Sequence, residues 1–263
     1  MINKIITLYF SPTKTTKKLV QTIAGKMKET LESSVDNFDI TLPYSRDTLP
    51  TMNEGDILLL GLPVYGGRIP PFLEQTLKSM KGNSALAVIT AVYGNRDYDD
   101  ALLEMKDILQ ENGFHVIAAG AFIGEHSIAK KLGTNRPNES DFKYATEFAE
   151  KVVEKIQNNT VSIEDDLVVK GTFPYKERRP SFPKSPKTKD NCTNCKLCSK
   201  ICPMGAISFE DPTVIDDLKC INCFACVKLC PESSKYFDNE MILKMMTMLE
   251  ENFSDPKEPE FFL

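Results

Sequence analysis

The chain has 263 residues, of which 41% are hydrophobic and 26% charged, and its formal net charge is -5. This length allows one sizeable core and a smaller module. No apolar stretch approaches the roughly 18 to 20 residues that a membrane span needs, and residues 1–10 lack the pattern of a signal peptide. These features exclude an integral membrane protein and predict a globular, cytoplasmic protein.

The first part of the chain alternates strand patterns with helix patterns. The predicted strands lie at 5–10, 38–42, 57–62, 85–92 and 114–123, of which the one at 38–42 is weaker. The predicted helices lie between and after them, at 14–31, 70–80, 99–110 and 139–156. Near-continuous apolar strands suit a parallel sheet covered on both faces. The pattern predicts an α/β, doubly wound, five-stranded parallel sheet that binds its ligand at the carboxyl ends of the strands.

A basic, proline-rich linker follows at 161–189. Residues 170–189 carry seven basic side chains and one acidic one, and they include Pro174, Pro180, Pro183 and Pro186. Such a segment has too few apolar residues to form a core. Arg178 and Arg179 could dock an acidic redox partner or, less readily, a nucleic acid. A solvated linker pinned to the acidic first domain is the simpler interpretation, and we expect no nucleic-acid partner.

All eight cysteines lie in residues 190–238, in two runs of the form C-x2-C-x2-C-x3-C-P. Zinc tetrathiolate sites commonly use two separated C-x-x-C pairs, which fits this spacing less well. In a doubled run, three thiolates hold one cluster and the fourth ligates the neighbouring cluster. The predicted ligands of one 4Fe-4S cluster are therefore Cys192, Cys195, Cys198 and Cys230, and those of the other are Cys220, Cys223, Cys226 and Cys202. This segment resembles the bacterial two-cluster ferredoxins.

Several apolar residues lie among these cysteines and are expected to keep water from the clusters. They are Leu197, Ile201, Ile207, Ile221, Phe224 and Leu229. Residues 239–263 follow as a Met-rich helix, predicted at 241–251, and a tail. The methionines have helical spacing, which indicates packing.

Two one-electron clusters favour a partner that also exchanges single electrons, and a flavin can do so. Residues 1–158 resemble flavodoxin, whose first loop binds the FMN phosphate. Here that loop has Ser11, Thr13, Thr15 and Thr16, with Lys14 in place of the family's glycine. Ordinary helix capping is the alternative use of these hydroxyls.

Two later loops resemble those that flank the flavin ring. In the second loop Tyr65 would cover the ring and Gly66 and Gly67 would let the backbone approach, next to Pro63 and Val64. In the third loop the backbone of Gly94, Asn95 and Arg96 would contact the ring edge, with Tyr93 or Tyr98 on its other face. Arg96 either lies near the flavin or pairs with the acidic residues that follow it. His126 follows the last strand on the ligand side and could lie near the flavin or the cysteine-bearing segment, but an ordinary histidine is the simpler interpretation.

The whole chain resembles the flavodoxin-ferredoxin fusion proteins of anaerobes. The resemblance implies a flavodoxin-like FMN domain at 1–160, the linker, a small α+β two-cluster domain at 190–238, and a C-terminal helix and tail. It also implies transfer of single electrons between the clusters and FMN, with reduced ferredoxin, a flavoprotein or an oxidoreductase as partner. A flavin-dependent reductase of a quinone or nitro compound is the alternative. A homodimer could bring the centres together if one chain does not.

Overall fold

The computed structural model describes residues 2–158, 160–161, 166–178 and 184–263. The strands are β1 (Lys4–Tyr9), β2 (Ser34–Asp39), β3 (Asp56–Pro63), β4 (Leu86–Tyr93), β5 (His115–Ile123), β6 (Lys187–Thr188), β7 (Lys235–Tyr236) and β8 (Glu260–Phe262). The helices are α1 (Thr15–Leu31), α2 (Glu74–Lys78), α3 (Ala101–Glu111), α4 (Glu139–Gln157), α5 (Leu197–Lys200), α6 (Ala225–Lys228) and α7 (Glu240–Asn252). No helix in this described part is long and apolar enough to cross a membrane.

The first five strands form a parallel sheet in the order β2-β1-β3-β4-β5. This is the strand order of the flavodoxin-like doubly wound fold, and it confirms the predicted fold class. The order reverses between β1 and β3. The carboxyl ends of these two strands therefore flank the crevice in which such folds bind their ligands.

The sheet separates two hydrophobic cores. Successive strand residues point to opposite faces, so Ile5 lies in one core and Ile6 in the other. The core around Ile5 includes residues of α1 and α4, and the core around Ile6 includes residues of α2 and α3. Because helices cover both faces, β3 and β4 are buried along nearly their whole length.

Two predicted elements differ in their bounds. The weak strand expected at 38–42 is β2, Ser34–Asp39, because in this edge strand only Val35 and Phe38 are part-buried and leave a weak apolar pattern. The helix expected at 70–80 is instead a 3-10 turn at Pro71–Leu73 followed by the short α2.

The C-terminal segment, expected to be a tail, adds a sixth strand to the sheet. β8 pairs antiparallel with β5, placing Ala119 opposite Phe262 and Ala121 opposite Glu260. The Phe261 ring packs against Phe122 and Phe148, with ring centroids 5.7 and 5.1 Å away. The tail is therefore part of the first domain.

The cysteine-bearing module, residues 184–238, consists of two similar halves. α5 and α6 each begin after a residue with positive φ, Lys196 in one half and Phe224 in the other. The backbone amides of Ala206 and Ser234 each point at a cysteine sulfur, of Cys202 and Cys230 respectively. The repeated cysteine spacing therefore corresponds to a repeated backbone geometry.

The described part of the linker, residues 166–178, lies along α3. The Asp100 carboxylate accepts from the backbone amides of Thr172 and Lys176, and Arg178 pairs with Glu104 at 2.7 Å. This contact agrees with a linker pinned to the first domain. Arg179, the other arginine considered for partner docking, lies outside the described residues.

Two glycine substitutions test the packing of α1 on the sheet. A Cβ at Gly61 would overlap the Val20 side chain, whereas one at Gly25, on the exposed side of α1, would meet no atom within 4 Å. We expect Gly61→Ala to lower the free energy of unfolding by about 1–3 kcal/mol through overpacking. Gly25→Ala should raise it by about 0.5–1 kcal/mol. Urea unfolding followed by circular dichroism under anaerobic conditions measures both, and equal effects would contradict this packing.

Candidate functional site

Two cavities in the cysteine-bearing module separate the eight thiols into two sets of four. A cavity of about 330 Å³ is lined by Cys192, Cys195, Cys198 and Cys230. A cavity of about 390 Å³ is lined by Cys202, Cys220, Cys223 and Cys226. Each set combines three thiols of one run with the fourth of the other, which is the division that the spacing predicts.

The thiols of the second cavity, which is lined by Cys202, Cys220, Cys223 and Cys226, are more deeply buried. Burial raises the pKa of the Cys223 thiol to about 12, so this thiol keeps its proton at neutral pH unless a metal displaces it. Ile207 and Phe224 are buried beside the thiols, as expected, and Ile221 packs against the core of the first domain. Leu197 lines the cavity of Cys192, Cys195, Cys198 and Cys230 and is 37% exposed, so it covers these thiols only in part.

A third cavity, of about 470 Å³, lies at the carboxyl ends of β1, β3 and β4. We call it the inner cavity. Its lining includes Thr13, Thr15 and Thr16 from the first loop and Cys223 from the cysteine-bearing module. The Thr16 hydroxyl is buried and has no hydrogen-bond partner among the residues that the structure describes. A buried hydroxyl at the start of a long helix, in a cavity, fits an anionic group such as a phosphate.

The other residues of the first loop shape the turn. The Ser11 hydroxyl accepts from the Lys17 amide at 3.0 Å and so caps the start of α1. Lys14 is exposed, has a φ of 68° and is absent from the cavity lining, so its side chain does not reach the site. The family's glycine suits this left-handed conformation better than a lysine does.

The second loop forms one wall of the inner cavity. Pro63, Val64 and Tyr65 line it, and the Tyr65 ring lies edge-on to Phe10 at 6.5 Å. Burial and the Cys223 and Cys220 thiols hold the pKa of Tyr65 well above its usual value. Tyr65 therefore lies between the inner cavity and the more buried set of cysteines.

The backbone conformation and close packing at position 67, in the same loop, require a glycine. The φ of Gly67 is 92°, and a Cβ there would overlap the Asp99 carboxylate. Gly66 also has a positive φ, 64°, and both glycines line a neighbouring, wider cavity. The two glycines thus keep the backbone close to the site.

Some residues of the third loop line the inner cavity, and others are buried in the core. Tyr93 and Gly94 line the inner cavity, as expected. Tyr98 does not, because its ring is only 1% exposed and its hydroxyl donates to Glu260 at 2.7 Å. The Asn95 side chain donates to the Phe253 carbonyl at 2.7 Å, so it binds the C-terminal segment instead of the cavity. Of the two tyrosines expected at the ring, Tyr93 therefore lies at the cavity and Tyr98 does not, and the backbone contact expected of Asn95 stays a prediction.

The structure shows the ion pair expected of Arg96, while its position near a flavin stays a prediction. Arg96 forms an ion pair with Asp99 and also lines the wider cavity. This outer cavity measures about 1110 Å³, counting the space at its open mouth. It shares Val64, Tyr65, Tyr93, Gly94, His126 and Ser127 with the inner cavity.

Of the two interpretations of His126, the less favoured one holds, because His126 lines both the inner and the outer cavity, and α7, which the sequence indicated only as packing, lines the outer one. The Nδ1 atom of His126 accepts from the amides of Ile128 and Ala129 at 3.1 and 3.0 Å, which leaves the proton on Nε2. Burial, with the charges of Lys228 and Arg96, lowers the pKa of His126 to about 4. The sequence feature that pointed to the site was the position of His126 after the last predicted strand, on the ligand side of the sheet.

Residues 191–234 match the family described as a 4Fe-4S dicluster domain. The chain joins a flavodoxin-like domain to a 4Fe-4S dicluster domain. The eight cysteines of the latter suit two 4Fe-4S clusters, which gives the protein a redox role. No curated protein has a sequence that matches the chain significantly.

Solved structures similar to the chain include flavodoxins. A flavodoxin from Archaea is 16% identical, with 59% of this chain and 99% of that one covered and a TM-score of 0.43. Flavodoxin 1 of Bacillus cereus is 19% identical, with 58% and 98% covered and a TM-score of 0.42. Rubredoxin oxygen:oxidoreductase of Desulfovibrio gigas is 15% identical, with 61% and 37% covered and a TM-score of 0.43. Because these identities and TM-scores are low, the fold assignment rests on the strand order of the parallel sheet.

The division of the thiols can be tested through Cys230. We expect Cys230→Ala to remove the cluster held by Cys192, Cys195 and Cys198, because Cys230 lines their cavity. The iron content should fall from about eight to about four per chain. The spin-resonance spectrum of the reduced protein should then match that of Cys192→Ala. A match to Cys226→Ala would contradict the assignment.

Proposed function

We propose that the protein binds FMN in the inner cavity and passes single electrons between it and the two clusters. The observation that carries this proposal is the position of Cys223. It lines both the inner cavity, with Thr16 and Tyr65, and the cavity of the more buried cysteines. One side chain thus borders the flavin site and one cluster site, so transfer within one chain needs no dimer.

The residues of the inner cavity have distinct tasks in this proposal. Thr13, Thr15 and Thr16, at the positive end of the 17-residue helix α1, bind the phosphate. Tyr65 and Tyr93 exclude water from the ring. Gly94 lets His126 pack closely against the third loop, since a Cβ at Gly94 would overlap the His126 imidazole.

The order of the centres follows from the same geometry. We call the site of Cys202, Cys220, Cys223 and Cys226 the proximal site and that of Cys192, Cys195, Cys198 and Cys230 the distal site. FMN exchanges one or two electrons, and each cluster exchanges one. The distal site includes the exposed Cys195 and is the point at which an external donor delivers its electron.

Three contacts hold the proximal site against the flavodoxin-like domain. Arg46 donates to the Pro203 carbonyl at 2.6 Å, and Lys228 pairs with Glu125 at 2.6 Å. Ile221 packs into the first domain's core. This docking keeps the separation between the proximal cluster and the flavin short and fixed.

The expected partners are a reduced ferredoxin, a flavoprotein or an oxidoreductase that supplies or takes electrons at the distal site. A reducing compartment such as the cytoplasm keeps the eight thiols available for iron. One observation supports the alternative function, a flavin-dependent reductase of a small acceptor. The outer cavity borders the same tyrosines as the inner one.

FMN binding is tested by removing one hydroxyl. Thr16→Val takes away the unpartnered buried hydroxyl, and we expect FMN to bind about tenfold more weakly, a loss of ~1.4 kcal/mol. The stability of the FMN-free protein should stay equal or rise. Thr22→Val is the control, since the Thr22 hydroxyl bonds to the Lys18 carbonyl on the same helix. Fluorescence titration with FMN measures both, and equal affinities would contradict a phosphate site at Thr16.

The order of the centres is tested by removing the proximal cluster. In Cys226→Ala the distal cluster should still be reduced by dithionite or reduced ferredoxin, because its four cysteines are intact. The rapid reduction of the flavin that we expect in the intact protein should be lost while the FMN content is retained. Anaerobic stopped-flow absorbance follows both centres. Flavin reduction at the unchanged rate would contradict a route through the proximal site.

A further inference from the structure

We propose that Lys235 holds a buried positive charge against the distal cluster and makes it the more readily reduced of the two clusters. This inference rests on the cluster sites of the proposed function, but it does not depend on FMN. It assigns a role to a lysine that neither the cysteine spacing nor the flavin loops explain.

Lys235 lies at the wall of the distal site. It is only 2% exposed and lines the cavity of the four distal cysteines. Its ammonium group donates to the Thr188 hydroxyl at 2.7 Å and to the carbonyl of Pro212, which lines the same cavity. Because an ammonium group has three N–H donors, these two bonds leave one donor for a group inside the cavity.

The positive charge of Lys235 lacks a close counter-ion in the described part of the chain. Both acceptors of its ammonium group are uncharged oxygens, and a buried charge is costly unless an opposite charge balances it. Bonds from Thr213 and, to a smaller extent, the charge of Lys235 lower the pKa of Asp211, but Asp211 is exposed and water screens its charge. A cluster with its four thiolates is the negative group that would balance the buried ammonium.

The other half of the module has an apolar residue at the equivalent position, Ile207. Each of the two residues follows the last cysteine of its run by five positions. Ile207 forms a backbone bridge with Ile215, and Lys235 pairs in the same antiparallel way with Thr188. Ile207 is also buried and lines the proximal cavity. The backbone geometry is therefore repeated at the two sites, whereas the charge is not.

The other charged groups near the two sites do not cancel this difference. Lys196 and Glu232 also line the distal cavity, but they carry opposite charges and are more exposed than Lys235. No lysine, arginine, aspartate or glutamate of the described residues lines the proximal cavity. Arg46 donates to the Pro203 carbonyl but is absent from that lining. The walls of the two sites thus differ by one buried positive charge.

This charge acts on the reduction potential of the distal cluster. When a one-electron donor of the ferredoxin class loses an electron to the cluster, the cluster becomes more negative by one charge. A fixed cation in a poorly screened interior stabilises the more negative, reduced form more than the oxidised form. Net charge and hydrogen bonds to sulfur set the potentials of such clusters. The distal cluster is then the first to hold an electron, which suits its proposed role as the point of entry.

The test removes the charge at position 235 and keeps the length of the side chain. Lys235→Met is neutral and unbranched, and Lys235→Arg keeps the charge. Ile207→Met, at the equivalent position of the other half, is the matched control. Thr188→Val removes one acceptor of the ammonium group and leaves the charge in place, which separates the effect of the charge from that of the anchoring bond.

The measurement is an anaerobic redox titration of the full-length protein with dithionite, followed by spin resonance. Two further variants assign the signals to the two clusters. Cys192→Ala retains only the proximal cluster and Cys226→Ala retains only the distal one, because each removes a ligand of the other site.

In the intact protein we expect the distal cluster to be reduced first. In Lys235→Met the ratio of reduced to oxidised distal cluster at a fixed potential should fall about tenfold, which for one electron corresponds to about 59 mV. The ratio for the proximal cluster should change by less, because Lys235 does not line its cavity. Lys235→Arg and Thr188→Val should keep most of the distal ratio, and Ile207→Met should leave it unchanged.

Two results would overturn the proposal. One is an unchanged distal ratio in Lys235→Met, and the other is earlier reduction of the proximal cluster in the intact protein. An equal fall in Thr188→Val and Lys235→Met would also count against it, by assigning the effect to the anchoring bond. If Lys235→Met does not assemble the distal cluster, Lys235→Gln replaces it as a neutral polar variant, and the order of reduction in the intact protein still decides.

Failure of the proposed function gives a different result. Protein that binds no FMN, or whose flavin is not reduced through the clusters, contradicts the proposed electron route. The potentials of the two clusters still decide the role of Lys235 in that case, because the titration follows the cluster signals alone. A chain that assembles neither cluster contradicts both proposals.

Discussion

The seating of the dicluster domain on the carboxyl edge of the parallel sheet is the constraint on which the redox geometry depends. Lys228 and Glu125 form its central ion pair, with side chains 12% and 28% exposed. Burial acts to raise the pKa of Glu125, but the hydrogen bonds from Lys228 and the Asn135 amide outweigh it and lower that pKa. The pair is therefore charged at neutral pH and fixes α6, which carries Cys226, against the flavodoxin-like domain.

The proposed flavin site depends on this seating because three separate parts of the chain border its cavities. The first loop supplies hydroxyls, the cysteine-bearing module supplies Cys223, and α7 supplies Met245, Met248 and Leu249. In a flavodoxin-like fold alone, the carboxyl edge of the sheet is open. Here that edge is bordered both by the cysteine-bearing module and by α7.

The features that the sequence could predict are local. Continuous apolar runs indicated β1, β3, β4 and β5, and the cysteine spacing indicated the two sets of thiols, because each pattern lies within a few tens of residues. Tyr98 was assigned to the wrong task, and the side-chain bond of Asn95 was not foreseen, because their partners, Glu260 and Phe253, lie more than a hundred residues away. Short polar stretches around β8 carry no periodicity that would predict a pairing with β5.

The place of β8 in chain order has a consequence for biosynthesis. The ribosome completes the five parallel strands first, then the cysteine-bearing module, and only afterwards Glu260–Phe262. Until then the β5 edge is unpaired and the rings of Phe122 and Phe148 lack their cover from Phe261. An unpaired edge beside exposed aromatic rings favours association with other chains. The nascent protein is thus most prone to aggregate during the interval in which its cysteines first become available for iron.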